Sequence, residues 1–137
     1  MPANWMEQYL DAWNSHDGSR VAAFFAEDGT YENVMGTAHK GQDAVKAYVE
    51  MNHQSSSDFR MSLLNTVASD HQYAVEWEYS GTNDGEIPGF PASKRPFRLQ
   101  GVSIGELDAD GKIKRSRDYW NLAEYMTQVG LLPAPGA

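Results

Sequence analysis

The sequence predicts an α+β domain in which a strongly bent, mixed or antiparallel sheet and three to four helices form a cone around an apolar pocket. Three observations predict it. Apolar residues recur at helical spacing through the first part of the chain, broken by a single short alternating stretch. The middle then changes to long alternating segments. The last alternating segment runs straight into a short terminal helix. Helices first, then consecutive long strands, is the order of an α+β fold.

The elements follow in turn. Asn4–His16 carries Trp5, Tyr9, Ala12 and Trp13 at helical spacing, with Asn4 and Glu7 in a capping-box arrangement. Asp17-Gly18 breaks that helix, and Val21, Ala22, Phe24 and Phe25 predict a second over Ser19–Ala26. Asp28-Gly29 reads as a turn, Thr30–Val34 as a short strand with Tyr31 and Asn33 on one face, and Gly36–Gly41 as a loop. Gln42–Asn52 is a third helix with Ala44, Val45, Tyr48 and Val49 as its apolar stripe, followed by a polar loop, His53–Asp58.

Phe59, Met61, Leu63, Asn65 and Val67 then mark one face of a strand. After a turn at Asp70-His71, Tyr73, Val75, Trp77 and Tyr79 mark the apolar face of the next, with Glu76 and Glu78 opposite. Asn83–Pro96 holds so many Gly and Pro residues that it reads as a mobile loop over a rim. Phe97–Leu107 is a long strand whose interior glycines, Gly101 and Gly105, predict bulges or sharp bending. The final strand follows the turn Asp108–Gly111 and puts Ile113 and Tyr119 on one parity, Asp118 and Trp120 on the other. Leu122, Tyr125, Met126 and Val129 predict the terminal helix, stopped by Gly130 with Pro133 beyond.

Composition narrows the function classes. The 137 residues suit one domain, 1–137, with a real core. The aromatic share of 12% suits a packed core or an apolar ligand pocket. A net charge of −8 without a basic cluster argues against nucleic acid and anionic membranes as partners. With no cysteine there is no disulfide, thiolate nucleophile or Cys-based metal site. The four histidines, 16, 39, 53 and 71, lack metal-like spacing, and no phosphate-binding glycine loop or HExxH motif occurs, so neither a metal nor a cofactor is implied. Without a membrane-length apolar run or a signal-peptide layout, a soluble cytoplasmic protein is expected.

Candidate chemistry centres on the last strand. In an apolar aromatic cavity the Asp118 carboxyl would have its charged form disfavoured, which suits proton transfer near neutral pH; on the surface it would be an ion-pair partner of Arg115 or Arg117. Tyr31 and Asn33 could hold a water or a carbonyl oxygen, or could be polar-tipped edge residues. Glu78, with Glu76, could share acid–base work with Asp118 or be the solvated side of a half-buried strand. Trp77, Phe97 and Trp120 divide between core and pocket lining. Asn121, with Glu124 three residues on, reads as a helix cap, and Asn83 as a turn residue; either could also touch a ligand.

Several motifs carry a family resemblance. FFAEDGTYEN after the first helix, GTNDGEIPGFPASKRPFRLQG in the middle and RDYWNLAEYMTQVGLLP at the end resemble the SnoaL-like branch of the nuclear-transport-factor-2-like (NTF2-like) superfamily. That superfamily includes ketosteroid isomerase, polyketide cyclases and limonene epoxide hydrolase. Asn83 stands where the SnoaL-like pattern often has His, and Asn121 where it often has Asp. Against the epoxide hydrolase, Tyr31 and Asn33 match a Tyr-x-Asn, Asp118 matches the final catalytic Asp, and Glu76 and Glu78 fall where an Arg-x-Asp is usual. The resemblance implies the cone fold, commonly as a homodimer. It also implies a cofactor-free acid–base enzyme acting on a small, largely apolar oxygenated ligand, by cyclisation, isomerisation or epoxide hydration. A non-catalytic binding or dimerisation module is the remaining reading.

Overall fold

The computed structural model describes residues 2–133. Its elements are α1 (Trp5–Asn14), α2 (Gly18–Ala22), β1 (Phe25–Glu32), β2 (His39–Lys40), α3 (Gln42–Ser55), β3 (Arg60–Ala68), β4 (Gln72–Thr82), β5 (Pro96–Leu107), β6 (Ile113–Trp120) and α4 (Leu122–Gln128). Six strands form one sheet in the order β2-β1-β6-β5-β4-β3, with β1 and β6 parallel and every other pair antiparallel. This mixed sheet with its four helices is the α+β cone that the sequence predicts.

The N-terminal half differs locally. The second helix ends at Ala22, and Phe25 opens β1 instead of closing that helix. Asp28-Gly29 is no chain reversal but an irregularity within β1, where pairing with β6 shifts register between Phe25 and Thr30. A Cβ on Gly29 would lie 2.5 Å from the Ile113 carbonyl, so its bare backbone permits the close approach. Asn4 occupies the N-cap of α1 without a side-chain cap bond, whereas Asp17 caps α2 by accepting from Ser19 N–H at 2.9 Å. The Gly36–Gly41 segment contributes β2, and α3 runs three residues past Asn52, so His53 is helical, buried and stacked on His16 at 4.1 Å.

The strands position the core. Inward residues of β4 are Tyr73, Val75, Trp77 and Tyr79, as their alternation requires. On β5 they are Phe97, Leu99, Gly101, Ser103, Gly105 and Leu107, with Gly101 only partly covered. Gly101 and Gly105 mark no bulge: β4 and β5 pair without a break, and these glycines face Trp77 and Tyr73. A Cβ on Gly101 would stand 2.4 Å from the Trp77 ring, and one on Gly105 2.0 Å from the Tyr73 ring. The rings lie over the bare backbone. In β6 the pairing with β5 shifts between Leu107 and Glu106, which flips parity after Ile113. Ile113, Ser116 and Asp118 are therefore all buried, while Tyr119 is 48% exposed, so Ile113 and Tyr119 do not share a face.

Candidate active site

Asp118 is buried on the inward face of β6, although it is ionisable. Register explains its partners. Ser103 on β5 is directly opposite, and its hydroxyl donates to Asp118 Oδ1 at 2.5 Å. Tyr31 on β1 pairs with Ser116, two residues before Asp118 on the same face, and its hydroxyl donates to Asp118 Oδ2 at 2.5 Å. Ser103 is oriented in turn by Trp77, whose indole Nε1–H donates to its Oγ at 2.8 Å. Both carboxylate oxygens thus accept from neutral hydroxyls. Burial pushes the Asp118 carboxyl up to about 6, and the hydrogen bonds from Ser103 and Tyr31 oppose that rise. Burial, and then the Asp118 charge, hold the Tyr31 phenol well above its ordinary value, so it remains a donor at neutral pH.

Asp118 opens into a largely apolar cavity. Trp13, Tyr48 and Trp77 contribute to the inner walls, and Phe97, Trp120 and Tyr125 to the walls nearer α4. Among the described residues, Asp118 is the only charged one in the lining. Such a cavity suits a largely apolar ligand oriented by a few polar atoms.

The other predicted residues fall into three groups. Tyr31, Trp77, Phe97 and Trp120 line the cavity with Asp118. Asn33 and Asn83 lie close by but outside the lining. β1 ends at Glu32, and beyond it Asn33 donates its side-chain N–H to the Tyr48 hydroxyl, so it acts on the pocket through Tyr48 and not beside Tyr31 on a shared strand face. Asn83 is fully buried in the neck of the Gly/Pro segment, its Nδ2 donating to the Pro91 carbonyl at 3.0 Å and to Ser93 Oγ at 3.2 Å. The segment is fastened further by Gly85 N–H donating to the Ser55 carbonyl at 3.1 Å, and its Ile87 and Phe90 reach the cavity. Glu78 and Asn121 stand apart. Glu78 projects from the opposite face of β4 and meets Arg98 Nη1 at 2.6 Å, because strand alternation sends it away from Trp77 and Tyr79. Asn121 is exposed and caps α4, accepting from Glu124 N–H at 3.0 Å. Among the described residues no arginine pairs with Asp118: Arg115 pairs with Glu32 at 3.1 Å on the outside of the sheet.

Sequence reasoning missed Ser103 and Tyr48. Ser103 had a signal, since it is the one hydroxyl on the inward parity of β5. Tyr48 reads as part of the apolar stripe of α3, and nothing in its spacing distinguishes a core tyrosine from a pocket tyrosine. Among the described residues no group of three or more His, Cys, Asp or Glu could hold a metal ion.

The geometry defines a class: a pocketed α+β cone with one buried carboxylate facing an aromatic interior. The profile of the SnoaL-like domain matches residues 6–116, and the chain belongs to that family, within the NTF2-like superfamily. A protein with a ketosteroid isomerase-like fold from Catenulispora acidiphila, solved with trimethylamine, is 20% identical over 100% of this chain and 99% of its own, with a TM-score of 0.80. A proposed polyketide cyclase from Xanthomonas campestris is 27% identical over 90% of this chain and 93% of its own, with a TM-score of 0.76. TsrD from Streptomyces laurentii is 24% identical over 93% of this chain and 92% of its own, with a TM-score of 0.81.

Proposed function

We propose that this chain, acting as one domain over 1–137, is a cofactor-free acid–base enzyme. Its substrate is a small, largely apolar oxygenated molecule, and its reaction is a cyclisation or isomerisation of the SnoaL-like or ketosteroid isomerase-like kind. The observation that carries the reading is the Asp118 carboxylate, buried yet open to an aromatic cavity, with burial raising its proton affinity toward neutrality. In this reading Asp118 accepts a proton from the carbon beside a carbonyl. The C–H electron pair moves onto the carbonyl oxygen as an enolate. Return of the proton to another carbon completes an isomerisation; in a ring closure the enolate carbon attacks a second carbonyl, whose oxygen takes up the π-electron pair and then the proton held by Asp118. Ser103 and Tyr31 hold the carboxylate in place, and Asn33 sets the Tyr48 phenol at the cavity wall for the ligand oxygen.

Epoxide hydration is less well supported, because its second carboxylate would be Glu78, which faces away and is paired with Arg98. Action as a homodimer in the cytoplasm belongs to the proposal on the family resemblance. Among the described residues, no helix is long and apolar enough to cross a membrane.

The test is exchange of α-protons. The full chain is incubated in D₂O with a panel of cyclic ketones and diketones, and deuterium uptake is followed by NMR. Wild type is expected to accelerate exchange for at least one compound, and Asp118→Asn to lower that rate by about 10²–10⁴-fold. Exchange that survives the substitution unchanged removes Asp118 from the mechanism. Background exchange throughout, with ligands still bound, makes the chain a binding module.

A further inference from the structure

The wall that α3 gives the cavity differs in chemistry from the walls of the sheet. Tyr48, Met51, Asn52 and Ser55 recur at helical spacing and line it, while Val45 and Val49 are fully buried in the core. Asn52 is the one amide in that lining among the described residues. Asparagine is a poor helix former, and α3 does not use this one at either end, where Gly41 and Ser56 are the caps.

The two arms of the amide are placed differently. Nδ2 donates to the Tyr48 carbonyl at 3.2 Å, one turn back. That carbonyl lies inside α3, where the Asn52 backbone N–H is its helical partner. The side-chain bond therefore rescues no orphan group. It fixes which arm is nitrogen, because a carbonyl must face a donor, and leaves Oδ1 on the other arm. Among the described residues nothing donates to Asn52 Oδ1, and unlike Asn83 Oδ1 it is not sealed inside the protein.

The neighbouring polar groups do not serve it. Tyr31 donates to Asp118, Ser56 Oγ donates to Asp58 Oδ1 at 3.1 Å, and the Ser55 hydroxyl sits against the Tyr125 phenol. The Tyr48 oxygen accepts from Asn33, which leaves its O–H to meet a carbonyl of the ligand. An amide oxygen only accepts, so Asn52 asks the ligand for a donor. A ligand that displaces water from Oδ1 without supplying one leaves it unpaired, and that loss is the basis of selectivity.

We infer that Asn52 is a specificity-determining residue, and that the ligand carries, besides a carbonyl, a free hydroxyl that donates to Asn52 Oδ1. The inference rests on the cavity being the ligand site, as the proposed function does, but it does not need Asp118 to move a proton.

Calorimetric titration of the full chain with 5- and 7-hydroxy-1-tetralone and with their methyl ethers tests it, since each ether keeps the ketone and loses the donor. At least one hydroxyl compound is expected to bind about tenfold more tightly than its ether. Asn52→Leu, at a half-buried position, should remove that preference while the ether still binds. Asn52→Asp keeps an acceptor and loses the Nδ2 donor, so the preference should survive in it. Equal binding by wild type, no binding of either hydroxyl compound, or a preference unchanged in Asn52→Leu overturns the inference. Loss of the preference in both variants alike also overturns it, because the helix bond to Tyr48 would then be the whole role of Asn52. The outcomes separate it from the proposed function. Deuterium exchange without a hydroxyl preference keeps proton transfer and removes the role of Asn52, and a hydroxyl preference without exchange does the reverse.

Discussion

At the scale of single residues, Asp118 is where stability and activity oppose each other. Its carboxyl is raised from 3.8 to about 6 by burial, so the folded protein binds that proton more tightly than the unfolded chain does. The stabilising contribution is complete below about pH 4 and is lost as pH rises toward 6. A shift of that size corresponds to about 3 kcal/mol between the two ends of the window. Asp118→Asn cannot ionise. Relative to wild type it is therefore expected to gain stability between pH 4 and pH 7, read as the difference between two urea-unfolding series. Contributions from Asp58 and Asp84, which hydrogen bonds hold below the ordinary range, cancel in that difference. Parallel curves for the two proteins would mean that Asp118 is not desolvated. The same titration sets activity: a base of this kind loses function as pH falls through about 6.

At the scale of elements, the pairing of β4 with β5 links packing to the site. Gly101 lies under the Trp77 ring, and Trp77 in turn orients Ser103 and through it Asp118. Gly101→Ala puts a methyl 2.4 Å from the ring and 2.9 Å from the Tyr119 carbonyl, so the indole must move. The expected cost is about 1–3 kcal/mol in urea unfolding, with a changed Trp fluorescence and a shifted pH profile of α-proton exchange. An unchanged midpoint and profile would show that the ring does not depend on the bare backbone. Asn83 is an element-scale residue too: buried among the carbonyls and hydroxyls of its own loop, it fixes the neck of the segment that carries Ile87 and Phe90 to the cavity. The Gly/Pro content that reads as mobility in the sequence serves here to let that neck pack against α3.

At the scale of the whole molecule, one face of the sheet encloses the pocket and the other is left apolar in part. Val67, Ala74, Ile104 and Arg117 stand in a single rung across β3, β4, β5 and β6. Val67 is 66% exposed and Ile104 38%, with Tyr119 nearby at 48%. Pairing of two copies through this face is the form the proposed homodimer takes. Light scattering is expected to find two chains of 15.3 kDa for wild type and one for Val67→Lys/Ile104→Lys. A monomeric wild type removes the dimer from the proposal and leaves the pocket, which is built within one chain, unaffected.

The sequence was most legible where one local rule acts alone. Alternation in β4 named the inward face correctly from Tyr73 to Tyr79, and Asn121 with Glu124 announced the cap of α4. It was least legible where two strands must be counted against each other. The bulge after Ile113 reverses parity in β6, and that reversal decides that Asp118 is buried while Tyr119 is not. Phe25 fits a helix by spacing and joins a strand because β6 offers it a parallel partner 88 residues away in register with Ile113. What the sequence determined by itself is the order of the helices and the long strands and the aromatic interior. What only the tertiary structure decided is which hydroxyls meet Asp118: Ser103 and Tyr31 reach it through strand register, a long-range property that no local pattern of residues encodes.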